Sequence, residues 1–203
     1  LDPGHMSPML YSVLAFTGKY TLDELKQFRQ WGSPTPGHPE VNVDRGVENT
    51  SGPLGQGHTY AVGAAIAAKF LDNLIIFYVS NDVQLSTNTE DVTTENVAMK
   101  YEAWDWKVIT INGNDPDEIR KALTEAKAEK NRPTLIIGKT TMGKGARRAD
   151  GSSYEADCAT HGAPLGGDAY VNTIKNLGGN PENPFTIFPE VAELYAKRAE
   201  ELK

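Results

Sequence analysis

Apolar residues fall in short bursts along the chain, and the bursts differ in period. Leu74 to Val79 is an unbroken apolar run of strand length, which suits a fully buried strand. Lys107 to Ile111 and Pro133 to Gly138 read as a second and a third strand. A helix is expected between the first two, over roughly Thr94 to Trp104. Between the second and third, Ile119, Ala122, Leu123 and Ala126 recur at helical spacing. They follow Asp115-Pro116-Asp117-Glu118, which supplies an N-cap, a proline at the first helical position and a glutamate two further on. Strand, helix, strand, helix, strand in this order predicts right-handed crossovers into a parallel sheet. The expected class is α/β, three layers with a mostly parallel sheet and helices on both faces.

The flanks follow other rules. Met9 to Leu14 is apolar and predicts a helix ending near Gly18, and Thr21 with Glu24 forms a capping box for a helix through Gln30. From Trp31 to Gly57, Pro34, Pro36, Pro39, Pro53 and a run of glycines leave no room for a regular element. A loop of that length in a compact domain usually carries function, and this one opens into an Ala-rich helix over Tyr60 to Phe70. Thr140 to Gly167 reads as a second long loop, followed by a short helix near Asp168 to Leu177 and an amphipathic helix from Pro189. The helix ending at Phe70 has only Leu71-Asp72-Asn73 before a strand begins, and three strands are few for 203 residues. The expectation is therefore a single domain over 1–203 that omits a segment between 70 and 71. A start without Met, inside a polar stretch, agrees with residues having been left out.

Composition narrows the partners. Hydrophobic residues make up 39% and charged residues 23%, the balance of a globule rather than of a disordered or fibrous chain. Twenty Lys and Arg against 27 Asp and Glu give a formal charge of −7, which argues against broad binding to nucleic acid or anionic membrane. One cysteine, Cys158, excludes an internal disulfide framework and a Cys-rich zinc site, and suits a reducing cytoplasm. No apolar run approaches about 18 residues and Leu1 to His5 has no leader character, so neither a membrane span nor a signal peptide is expected.

Three groups of residues could carry chemistry. Thr50-Ser51-Gly52-Pro53-Leu54-Gly55-Gln56-Gly57 is a small-residue turn entering a helix, where backbone can approach a ligand and N–H groups can meet an anion, although glycine turns before helices are also common without function. His5, His38 and His161 each lie beside glycine in a polar loop, where an imidazole can bind a phosphate or move a proton near neutral pH. A single loop histidine is more often merely solvated, but three on separate loops of an α/β fold weaken that alternative. His58, inside the helix start, is read as structural. At the end of the first strand, the oxygens of Asn81-Asp82-Val83 suit Mg²⁺ or Ca²⁺, with a simple Asx turn as the local alternative. Cys158 lacks a paired base, and Lys139, Lys144, Arg147 and Arg148 read as a solvated face.

Gly4-His5-Met6-Ser7, Thr35-Pro36-Gly37-His38-Pro39-Glu40, Gly46-Val47-Glu48, Thr50 to Gly57, Ala98-Met99-Lys100-Tyr101-Glu102-Ala103 and Thr160-His161-Gly162-Ala163-Pro164-Leu165-Gly166 together closely resemble transketolase, in its thiamine-diphosphate half. The resemblance covers nearly the whole chain and implies the thiamine-diphosphate-binding fold. It implies transfer of a two-carbon ketol unit from a ketose phosphate to an aldose phosphate, as in the pentose phosphate pathway. On this resemblance His38 and His161 are the catalytic residues, and His5, His161, Asn81 and the Gly52-Pro53-Leu54 turn bind thiamine diphosphate. Asn81 and the Val83 carbonyl would hold Mg²⁺ or Ca²⁺. The partners implied are sugar phosphates and a pyrimidine-binding domain or subunit, in a homodimer or heterotetramer. The family's Gly-Asp-Gly metal motif is absent between Phe70 and Leu71, its earlier histidine would precede Leu1, and its pyrimidine-protonating glutamate belongs to the other domain. Omitted cofactor loops, a natural half-enzyme and a fragment are all consistent with these departures. The Thr35 to Glu40 histidine loop and the Gly52 to Gly57 spacing argue against the related deoxyxylulose-phosphate synthase, and a catalytically silent regulatory or binding module is the alternative from another class.

Overall fold

The structure is a computed structural model that describes residue 2 and residues 4–67 and 74–202. The junction between 70 and 71 lies outside the described residues. The chain divides into two compact units, one formed by 1–68 with 185–203 and the other by 69–184.

In the first unit a 3-10 turn, Gly4–Met6, runs directly into helix α1, Ser7–Phe16. Proline in the first turn of α1 costs nothing there, since the N–H it lacks has no intrahelical partner. The expected capping box is present. The Thr21 hydroxyl accepts from the Glu24 N–H at 3.2 Å and the Thr21 N–H donates back to Glu24 Oε2 at 2.8 Å. Helix α2 nevertheless covers only Leu22–Lys26, short of the expected Gln30. Arg29 adopts a left-handed φ of +63° and sends its N–H to the Thr35 carbonyl, which turns the chain out of the helix. Tyr11, 1% exposed, forms the unit's aromatic centre with Tyr20 and Phe28, at ring separations of 5.3 and 6.3 Å. The loop after Trp31 holds one 3-10 turn at Val43–Arg45, and α3 spans Gly57–Ala67. The last helix, α7, is Pro189–Glu201; its Tyr195 stacks on Phe16 of α1 at 4.8 Å.

The second unit is the predicted alternation. Strands β1 (Ile75–Ser80), β2 (Lys107–Asn112) and β3 (Thr134–Lys139) form a parallel sheet in the order β1-β3-β2, with Phe77 and Ile109 both in register with Ile136. Asn96 caps α4, Val97–Ala103, and Asp115 caps α5, Pro116–Ala128, accepting from the N–H groups of Asp117 and Glu118. Ala122 and Ala126 of α5 are buried on Ile136, with Phe77, Ile109 and Leu123 packed around them. The chain steps out from β1 to β2 through α4 and back to β3 through α5, so a common crossover hand sets the two helices on opposite faces. The expectation of a fully buried first strand fails. Among the described residues β1 is an edge strand, with Tyr78 and Val79 about two-fifths exposed, and the buried run is central β3, where Thr134 to Gly138 are all inaccessible. The first run is if anything the more apolar in sequence, so position in the sheet rather than composition decides which is buried. Helix α6, Gly167–Asn176, packs on the preceding loop through Arg147, whose N–H donates to the buried Thr173 hydroxyl.

Candidate functional site

Within the first unit, three sequence motifs that are far apart along the chain come together. Ser7 is completely buried at the start of α1, and its hydroxyl donates to the Gly37 carbonyl at 2.6 Å. Gly4 lies against the His38 ring and Ser51: a Cβ there would sit 3.0 Å from His38 Cδ2 and 2.9 Å from Ser51 Oγ. The Ser51 N–H donates to the Pro39 carbonyl at 3.0 Å, and the Val41 N–H to Thr50 Oγ1 at 2.9 Å. The segments bearing His5, His38 and Gly52 are thereby stitched into one surface, on which the His5 and His38 rings are exposed to solvent. Arg29 covers the other side of the His38 loop, since its Nε would lie 2.9 Å from a Cβ on Gly37.

The glycine-rich turn is only partly the anion seat that its sequence suggests. The Gly55 N–H is taken by Asp2 Oδ2 at 3.0 Å, and a Cβ at Gly57 would collide with Asp2 Cβ at 2.1 Å. Two of these glycines thus serve an approach by the chain's own carboxylate. At Gly52, leaving its chain neighbours aside, none of the described residues comes within 4 Å of a Cβ built there, and the nearby Leu54 is 64% exposed. The space next to Gly52 is open to a ligand. The Ser51 hydroxyl is buried with no hydrogen-bond partner among the described residues, so a polar group could still be received beside it.

Within the second unit, the carboxyl ends of β1 and β3 border a cleft of about 560 Å³ lined in part by Asn81, Asp82, Val83, Glu90, Lys139 and Thr140. Parallel strand ends are where such sheets place ligands. Asn81 Oδ1 accepts from the Val83 N–H at 3.1 Å, so the Asx turn foreseen as the local alternative is present. That bond leaves Oδ1 a second lone pair. The bridge joining Val83 to Asn88 uses the neighbouring residues, through Gln84 N–H to Thr87 O and Thr89 N–H to Asp82 O, and leaves the Val83 carbonyl outside it. Asn81 and Val83 therefore present two oxygens of the kind hard cations take. Two are too few alone, since Mg²⁺ and Ca²⁺ need about six or more. Among the described residues no group of three His, Cys, Asp or Glu side chains could complete the set.

Lys139, read from sequence as part of a solvated face, is indeed exposed and also forms part of the cleft wall. Its ammonium donates to Asp82 Oδ1 at 2.8 Å and to Ser80 Oγ at 3.0 Å. The signal was the parallel register, which sets Lys139 beside Ser80, and it could not be read before the strand order was known. His161 ends a 3-10 turn, Cys158–Thr160, that Asp157 caps while paired to Arg148. It is half-buried and is not among the residues bordering the cleft. Asp2, Ser7 and Ser51 carried no sequence signal beyond their motifs.

The family described as "Transketolase, thiamine diphosphate binding domain" matches residues 1–73 and 69–203. Transketolase of Staphylococcus epidermidis is 38% identical over 248 aligned positions, covering 99% of this chain and 37% of that protein. The crystal structure of transketolase from Campylobacter jejuni superposes with a TM-score of 0.85 at 36% identity, covering 95% of this chain and 36% of that one. A Pichia stipitis transketolase in complex with sedoheptulose 7-phosphate gives 0.87 at 31% identity, over 98% of this chain and 35% of that one. The chain thus spans little more than a third of the length of the relatives it matches. With parallel sheet, converging glycine and histidine motifs and a family match over both units, the chain belongs to the transketolase family, as its thiamine diphosphate binding domain.

Proposed function

We propose that this chain is the diphosphate-binding half of a transketolase, transferring a two-carbon ketol unit from a ketose phosphate to an aldose phosphate once joined by a pyrimidine-binding domain or subunit. The single observation that carries the reading is the convergence of the Gly4 to Ser7, Gly37 to Pro39 and Thr50 to Gly52 segments on one surface. Thiamine diphosphate, when bound, supplies the carbanion chemistry that imidazoles and carboxylates lack. His5 and His161 would bind on the diphosphate side, and the backbone of Gly52, Pro53 and Leu54 would meet the aminopyrimidine, beside the open space at Gly52. His38 and His161 would hydrogen-bond the donor's hydroxyl and carbonyl oxygens and relay protons to and from them. Asn81 and the Val83 carbonyl would give a Mg²⁺ or Ca²⁺ ion two oxygens, with diphosphate oxygens and a ligand beyond the described residues supplying others.

A segment missing between 70 and 71 forms part of the same reading. The family match falls into two pieces that overlap at 69–73, and relatives align over 248 positions against a chain of 203 residues, so they hold positions without counterpart here. The two units then make one cofactor domain, working as part of a homodimer or heterotetramer in the cytoplasm. No helix among the described residues is long and apolar enough to cross a membrane. Calorimetry of the full-length gene product with thiamine diphosphate and Mg²⁺, followed by transfer from a ketose phosphate to ribose 5-phosphate, tests the proposal. Heat of binding and a chain-lengthened sugar are expected, and absence of both would overturn it. Binding without transfer would favour the silent module, for which the incomplete ligand set at Asn81 is the supporting observation. Activity on pyruvate with glyceraldehyde 3-phosphate would point instead to the deoxyxylulose-phosphate synthase reaction.

A further inference from the structure

Ser7 stands where two motifs with different assignments meet. It follows the turn that carries His5, and its hydroxyl reaches 30 residues along the chain to the carbonyl of Gly37, the residue before His38. The serine is completely buried, so bulk water does not compete for the bond. The His38 loop is held from other directions as well: Arg29 N–H to Thr35 O at 3.0 Å, Thr35 Oγ1 to Glu24 O at 3.0 Å and Ser51 N–H to Pro39 O at 3.0 Å. Only the Ser7 bond runs between the His5 segment and the His38 loop among these. Gly4 reinforces it by letting the His38 ring come close to the backbone, where a Cβ would sit only 3.0 Å from His38 Cδ2.

We propose that Ser7 is a positioning residue whose hydroxyl, by latching the Gly37 carbonyl, sets the spacing between His5 and His38. The inference rests on the functional reading above, in which these imidazoles serve the two ends of one site: His5 the diphosphate and His38 the ketose donor. A latch of this kind needs no contact with either ligand. It fixes the distance over which cofactor and donor must meet, and misplacement of a reacting group by about 1 Å can cost on the order of a hundredfold in rate.

The test is an NMR experiment on the chain itself joined to kinetics on the full-length enzyme. In the labelled chain, a nuclear Overhauser cross-peak between a Gly4 Hα and the His38 Hδ2 reports the seated ring. Ser7→Ala is expected to abolish or at least halve it, and Ser7→Thr, which keeps the hydroxyl, to retain it. In the full-length enzyme Ser7→Ala is expected to lower kcat about tenfold with little change in KM for the aldose acceptor, again with recovery in Ser7→Thr. Should Ser7→Ala fail to fold, Ser7→Cys, whose thiol is only a weak donor, is read instead, and a weakened cross-peak is expected. An unchanged cross-peak in Ser7→Ala, or in Ser7→Cys where that variant is read instead, or a lost cross-peak with wild-type kcat, overturns the latch. His38→Ala separates this from the reading beneath it: wild-type transfer in that variant overturns the role of His38, whereas the cross-peak alone decides whether Ser7 seats the ring.

Discussion

Tyr11 shows how a residue outside the proposed chemistry records the state of the fold. Burial pushes its phenol from 10 up to about 12, with Tyr20 and Glu40 nearby adding to the effect. The unfolded chain therefore releases this proton more readily than the folded one, so the associated stability is complete below pH 10 and is lost as the pH rises toward 12. Two pH units correspond to about 2–3 kcal/mol. Urea midpoints measured from pH 9 to 12 should fall steeply, and Tyr11→Phe should flatten the decline. At His161, replacement by Ala is expected to reduce two-carbon transfer roughly tenfold or more in the assembled enzyme. Wild-type kinetics there would remove His161 from the site. Asn81→Ala deletes the oxygen that receives the Val83 N–H, and should cost about 1 kcal/mol of stability while weakening Mg²⁺-dependent thiamine diphosphate binding by calorimetry at least about tenfold. Equal affinity in wild type and variant would dismiss the metal role of Asn81.

Among elements, what could be read in advance was what is encoded locally. Thr21 with Glu24, and Asp115 with the N–H groups of Asp117 and Glu118, place their partners within three residues, so both helix starts were legible. The stop of α2 was not, because it depends on Arg29 turning left-handed to meet Thr35. The edge position of β1 was equally hidden, since strand order is a property of pairing rather than of composition. The same division runs through the site. The histidine and glycine motifs announced themselves, whereas Ser7 with Gly37, Asp2 with Gly55 and Lys139 with Asp82 join residues 30, 53 and 57 apart. Close packing in the sheet offers its own test. A Cβ at Gly138 of β3 would lie 2.6 Å from the Phe77 ring and 3.2 Å from the Gly113 backbone. Gly138→Ala is accordingly expected to destabilise the second unit by about 1–3 kcal/mol, seen as a lower urea midpoint.

On the scale of the whole molecule, cofactor and fold should be linked. A ligand bound only by the folded chain stabilises it by mass action, so thiamine diphosphate with Mg²⁺ should slow proteolysis of the loops at Thr50 to Gly57 and Thr140 to Gly167. Identical digestion with and without the pair would deny that linkage. The strand order also governs how the polypeptide leaves the ribosome. Among the described residues β1 and β2 never pair with each other, and each finds its hydrogen bonds on β3, the last strand to be synthesised. A nascent chain stalled at Asn131 should hence be digested throughout 74–131, while one that has cleared the exit tunnel past Lys139 should acquire resistance across all three strands at once.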